Sequence, residues 1–181
     1  HDNPLRTPTQ GWMFVPLVDY HGGGDAAAFE PLSEHLQEYE WALAQYLGYG
    51  TAACYRGTRL YDTDETKAVV KKWVDFYKAH RQILISDIVH VRRPDMQGID
   101  AVLHVNPQLS EVGLAMVFNP TQERVEEVLR MPLYYTGLTD AAKVTNSEGD
   151  TTTMNLGRGY DVDLQLTMEP MSIEWFVFER A

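Results

Sequence analysis

The segment Tyr49–Asp87, YGTAACYRGTRLYDTDETKAVVKKWVDFYKAHRQILISD, limits the possible folds more than any other part of the chain. It opens on a short apolar run, Thr51–Cys54, which suits a buried strand. A loop then carries Tyr55, Arg56, Arg59, Tyr61 and Asp62. A long helix follows. Asp62 or Thr63 can cap it, and Asp64 and Glu65 lie where the helix dipole favours negative charge. Val69, Val70, Trp73, Val74, Phe76, Tyr77, Ile83 and Leu84 form a broad apolar face, whereas Lys67, Lys71, Lys72 and Lys78 go to water. So wide a face predicts a packed helix rather than a free one. His80, between Phe76 and Leu84, is expected as a core histidine with a satisfied ring.

A similar unit precedes it. After an irregular lead-in, Gly11–Val18 (GWMFVPLV) is nearly continuous in apolar residues, as in a strand covered on both faces of a parallel sheet. Pro16 lacks a ladder donor, so this strand is expected to be bent or at an edge. Asp19–Asp25 (DYHGGGD) follows directly. Its three glycines allow either a tight turn or close approach of a ligand to the main chain, and Asp19, Tyr20 and His21 stand where strand ends collect sites in parallel folds. From Pro31, residues Leu32, Leu36, Tyr39, Leu43, Tyr46 and Leu47 fall at helical spacing, with Gly48 as the expected cap and Glu34, Glu38 and Glu40 on the outer face.

Beyond Ser86 the hydrophobic period changes to two. Apolar-alternating segments run at Asp87–Arg93, Ile99–Val105, Val112–Phe118, Val125–Thr136, Lys143–Thr145, Thr151–Leu156, Val162–Met168 and Ile173–Phe178, separated by turn signals such as Asn106-Pro107, Asn119-Pro120 and Gly157–Gly159. This predicts an antiparallel β-sandwich, with Trp175 and Phe176 anchoring its last strand. Ile99, Ala101, Leu103 and Val105 should share one face of their strand, and Asp100 and His104 the other. The expected class is α+β: residues 1–95 form a partial α/β region of two βα units, and residues 96–181 form the sandwich. Two βα units cannot close a barrel or cover a sheet, so the first region is expected to be the tail of a larger α/β domain.

Charge and motifs narrow the chemistry. With 15 Lys plus Arg against 26 Asp plus Glu, the net charge of −11 disfavours nucleic acid but is indifferent to a neutral sugar. The single cysteine, Cys54, excludes an internal disulfide and is expected as a buried thiol. No stretch approaches the roughly 18 apolar residues of a membrane span, so no membrane partner is expected. The chain starts at His1 with no signal peptide present, so a targeting label would have been lost from it. GxxxxGK[ST], CxxC, HExxH, GxSxG and GxGxxG are absent, and no cofactor or metal is expected. A copper site using His1 with His90 or His104 is the remote alternative.

The blocks VPLVDYHGGGDAAAFEPLSEHLQEYEWALAQYLGYG, ACYRGTRLYDTDETKAVVKKWVDFYKAHRQIL, DIVHVRRPD, HVNP, LAMVFNPT and MPLYYTGL occur in that order. They resemble the C-terminal part of a group of bacterial glycoside-hydrolase-like proteins, themselves similar to α-galactosidase-type hydrolases: a (β/α)₈ barrel followed by an antiparallel sandwich. The resemblance covers nearly the whole chain from Gly11. It implies that the two βα units are the last of the barrel, and that Asp19, Tyr20, His21, Tyr55, Arg56, Arg59, Tyr61 and Asp62 rim a site for an oligosaccharide or polysaccharide. An equally weighted reading pairs Arg56 and Arg59 with Asp62 or Asp19 to fix the loop. The resemblance further implies a secreted or periplasmic setting, with the rest of the barrel or a second copy as partner. In such hydrolases the catalytic carboxylates come from earlier barrel strands, so the catalytic residues are unknown and the chain alone is expected to be inactive. The competing function is a non-catalytic carbohydrate-binding sandwich module, which would dock sugar on exposed aromatics such as Tyr134 and Tyr135.

Overall fold

The chain divides into two compact units, Thr9–Leu84 and Ile85–Ala181 with His1–Pro8. A computed structural model describes residues 6–7, 12–16, 29–56, 59–93, 95 and 97–181, with the strands at 6–7, 12–16 and 52–56 described by backbone alone.

In the first unit, β2 (Trp12–Pro16) and β3 (Ala52–Arg56) pair in parallel, from Trp12 opposite Ala52 to Pro16 opposite Arg56. Parallel neighbours need a long return connection. Here it includes a 3₁₀ turn at Leu32–Glu34 and α1 (Leu36–Gly48), and α2 (Asp64–Leu84) follows β3. This is the predicted pair of βα units. Tyr39, Leu43 and Leu47 of α1 and Val70, Trp73 and Phe76 of α2 are buried, and the two helices pack together. Glu40 is no mere solvating residue: its Oε1 accepts from the Trp73 indole at 3.1 Å and from Lys72 at 2.7 Å.

The cap of α1 lies two residues beyond the expected Gly48. Gly50 takes the left-handed φ of 72°. Its N–H bonds the Leu47 carbonyl at 3.1 Å, and the Thr51 N–H bonds that of Tyr46 at 3.1 Å, which closes a Schellman motif. At the start of α2, Thr63 Oγ1 accepts the Thr66 N–H at 3.2 Å, as an N-cap should. Thr66 answers by accepting the N–H groups of Asp62 and Thr63 at 3.0 Å each, a reciprocal box with threonine in the usual glutamate position. His80 is half-buried, 5.1 Å from the Phe76 ring, and breaks the helical dihedrals at φ −113°, ψ 16°.

The second unit is the predicted antiparallel sandwich. Its larger sheet has seven strands in the order β1-β4-β5-β6-β11-β8-β9: β1 (Arg6–Thr7), β4 (Asp87–Arg92), β5 (Asp100–Val105), β6 (Glu111–Phe118), β8 (Ala141–Asn146), β9 (Thr151–Asn155) and β11 (Ile173–Arg180). Its smaller sheet pairs β7 (Val125–Pro132) with β10 (Asp161–Met168). The boundary expected between residues 95 and 96 lies inside this unit. The units divide between Leu84 and Ile85, because β4 is hydrogen-bonded to β5 along its length.

Along β10, Val162, Leu164, Leu166 and Met168 are buried while Asp163, Gln165 and Thr167 are exposed. The buried set joins Leu129 and Met131 of β7 and Leu103, Ala115, Val117, Phe176 and Phe178 of the larger sheet in one core. Trp175 is only half-buried and lies outside this core, so Phe176 and Phe178 anchor β11 instead. The strand expected at Val125–Thr136 ends at Pro132, and a 3₁₀ turn follows at Tyr134–Thr136. Buried Asn119 ties the two sheets: its amide donates to the carbonyls of Glu123 at 2.8 Å, Glu169 at 2.9 Å and Met168 at 3.3 Å, and its oxygen accepts from Thr121.

All six residues of β5 are buried, including Asp100 and His104 on the face away from the core. Burial pushes the Asp100 carboxyl up, and the negative charge of Asp95 adds to this, against the Asp95 backbone hydrogen bond and the Arg92 charge. One of its oxygens, Oδ1, has no hydrogen-bond partner.

Candidate functional site

Tyr55 and Arg56 belong to β3 itself rather than to the loop after it, opposite Val15 and Pro16. Parallel pairing therefore brings the C-terminal ends of β2 and β3 side by side, the edge from which sites in α/β folds are built. Asp19, Tyr20 and His21, with the glycines at 22–24, lie outside the described residues.

The segment Arg59–Asp62 is held by clips to residues far away in sequence. Arg59 does not pair with Asp62. Its Nε reaches Glu30 Oε1 at 3.1 Å and its Nη2 reaches Oε2 at 2.7 Å, a two-pronged guanidinium–carboxylate pair. That hydrogen bond, then the Glu30 charge, pushes the Arg59 pKa up. The Leu60 carbonyl accepts from the buried Tyr39 hydroxyl at 2.8 Å. Tyr61 is exposed, with the Lys67 ammonium 5.4 Å from its ring centre.

Asp62 uses both carboxylate oxygens. Oδ2 accepts the Ser33 N–H and hydroxyl at 3.0 Å each, and Oδ1 accepts the Thr66 hydroxyl at 2.9 Å. Desolvation works against its ionisation, but these bonds, with that of its own N–H, outweigh it and hold the pKa below the usual carboxylate value. An ionised carboxylate so engaged suits anchoring rather than proton donation. Sequence reasoning missed Glu30 and Ser33, because both act on residues 29 positions away.

Among the described residues no group of three or more His, Cys, Asp or Glu side chains gathers to hold a metal. His1 lies outside them. No described helix is long and apolar enough to cross a membrane.

On the sandwich, three tyrosines cluster. The Tyr134 ring lies 5.2 Å from that of Tyr135 and 5.7 Å from that of Tyr160, near-perpendicular at 84° and tilted at 66°.

No protein-family model and no curated relative matches the sequence. Solved structures do match. The galactosidase domain of the α-galactosidase–sucrose kinase AgaSK aligns over 92% of this chain at 16% identity, with a TM-score of 0.57, and 22% of its own length is covered. A candidate α-galactosidase from Bacteroides fragilis aligns over 94% at 13% identity and a TM-score of 0.53. A GH27 β-L-arabinopyranosidase from Geobacillus stearothermophilus aligns over 80% at 10% identity and a TM-score of 0.52. This is the fold of their C-terminal part. The chain spans 33% and 31% of the latter two, about a third of such a chain. At these identities the likeness is one of fold: α+β, with βα units leading into a C-terminal β-sandwich.

Proposed function

We propose that this chain is the C-terminal portion of a glycoside hydrolase, whose strand-end residues contribute to a sugar site while the catalytic carboxylates sit on other strands. The parallel register of β2 and β3 carries the reading: it aligns Pro16 with Arg56, and Asp19–His21 begin three residues after that edge in the sequence. Strand ends on this side are where barrel enzymes keep their sites. Arg56 and Arg59 supply planar donors for hydroxyls, Tyr55 and Tyr61 supply rings for the apolar side of a pyranose, and Asp62 steadies the loop through Ser33 and Thr66. A pair of carboxyl groups about 5–5.5 or 6.5–9.5 Å apart is what glycoside hydrolysis needs. With both oxygens of Asp62 engaged, that pair is assigned to other strands, so the chain alone binds sugar without cleaving it.

The test is an NMR titration with methyl α-D-galactopyranoside. Amide shifts should move at residues 55–62, and Arg56→Ala should remove those shifts with the Tm nearly unchanged. Shifts confined elsewhere, or a Tm loss of several degrees in Arg56→Ala, would assign Arg56 a structural role and overturn the reading.

A further inference from the structure

We propose that Tyr134 and Tyr160 form a second saccharide site, on the sandwich, which stacks a neutral pyranoside unit of a longer glycan. The inference rests on the carbohydrate-active reading but not on the strand-end residues. Tyr134 is 63% exposed and Tyr160 39%, in a unit whose other aromatics mostly serve the core. Exposed aromatic clusters mark binding surfaces, and tyrosine offers a rigid apolar face with a polar tip at low entropic cost.

The backbone beneath them is built to hold these rings out. The Leu133 N–H donates to the Tyr160 carbonyl at 2.8 Å, which joins the two ring-bearing loops. Thr136, fully buried, donates its hydroxyl to the Leu133 carbonyl at 2.5 Å, and the Gly137 N–H donates to the Tyr134 carbonyl at 3.2 Å. In the second loop a Cβ at Gly157 or Gly159 would meet an Asp161 carboxylate oxygen at 2.7 Å, so the turn folds closely around this side chain and a larger residue would displace it. Tyr160 itself takes a left-handed φ of 58°, a strained conformation for a bulky residue, while it stays partly exposed against Tyr134.

Size and charge select the ligand. Two tyrosine rings offer at most about 300–500 Å², short of the roughly 800 Å² per partner of a stable protein interface. One sugar ring fits that area. A net charge of −11 disfavours an anionic ligand, and the phenol hydroxyls and the Arg158 guanidinium in the same loop provide donors for sugar hydroxyls.

Native electrophoresis of the full chain through gels containing galactomannan tests this. The wild type should be retarded. Tyr134→Ala and Tyr160→Asn, the latter chosen because asparagine tolerates the left-handed backbone, should each weaken retardation at least tenfold with unchanged circular dichroism, whereas a change at exposed Lys78, in Lys78→Ala, should be retarded normally. Tyr134→Phe should keep most of the binding, since the ring remains. Retardation kept in full by both tyrosine variants would overturn the second site and leave the strand-end reading to the methyl galactoside titration. No retardation of the wild type, or a dimer in light scattering that the tyrosine variants abolish, would overturn it as well, with the methyl galactoside titration still deciding the other site.

Discussion

The sandwich and the βα unit reach order by different means. In the sandwich, two sheets interlock buried side chains such as Leu164, Leu166, Phe176 and Phe178, and β10 alternates cleanly between core and water. In the βα unit, among the described residues, β2 and β3 pair only with each other, and much of the definition comes from polar clips: Glu40 on Trp73, Asp62 on Ser33, Glu30 on Arg59. The sandwich rests mainly on buried apolar area, and the loop of the βα unit rests on named hydrogen bonds and ion pairs. The difference matches the proposal that strand-end residues of the βα unit, held by such clips, contribute to a sugar site.

The largest effect should therefore come from the core. Phe178→Ala removes a fully buried ring and should cost about 3–5 kcal/mol, read from urea denaturation. A loss under about 1 kcal/mol would mean that the two sheets do not share one tightly packed core, and the contrast would collapse. Next is the polar tie inside the same unit. Asn119→Ala strands three carbonyls and should cost about 2–3 kcal/mol. Asn119→Asp keeps the acceptor for Thr121 but loses the donors, and should be nearly as damaging. If it is neutral, Asn119 is not what joins β6 to β10.

In the βα unit the corresponding change is smaller. Thr63→Ala removes the N-cap of α2 and should cost about 1 kcal/mol, with faster hydrogen exchange at the Thr66 and Lys67 amides. Exchange that rises equally throughout α2 would show that the helix opens as a whole rather than from a capped end.

Much of this was legible from local pattern. Short apolar segments between turn signals located the strands from β4 to β11, with period-two alternation clearest in β10, and the residue types at Asp62 and Thr63 announced the start of the second helix. What pattern could not reach has physical reasons. IEWFVF is apolar on both faces, so alternation did not tell Trp175 from Phe176 as the core residue. Tyr55 and Arg56 extend a strand that hydrophobicity alone ends at Cys54, since backbone pairing does not require apolar side chains. Glu30 and Ser33 hold partners 29 residues away, a relation made by the fold and not by spacing. The tyrosine cluster was half visible: Tyr134 and Tyr135 stand together, but only the turn at 157–161 brings Tyr160 to them.

The smallest effect separates the two units by sign. Asp100 in the sandwich has a raised pKa, so its folded state holds the proton more tightly than the unfolded chain. Its stability contribution is greatest below the ordinary carboxylate pKa of 3.8 and falls as pH rises from there through the raised folded value. At neutral pH the buried charge is a liability, and Asp100→Asn should stabilise by up to about 1 kcal/mol, with the gain vanishing toward pH 3. Asp62 in the βα unit runs the other way. Its pKa is lowered, so its contribution is present above the ordinary value and is lost as pH falls through the folded one, and Asp62→Asn should destabilise at neutral pH. Thermal melts of both variants from pH 3 to 7 read the two slopes. Opposite slopes sharpen the contrast between a buried acid tolerated by a core and an ionised acid that holds a loop. An Asp100→Asn protein less stable than wild type at every pH would show that the carboxylate serves the sheet, and the distinction would have to be drawn elsewhere.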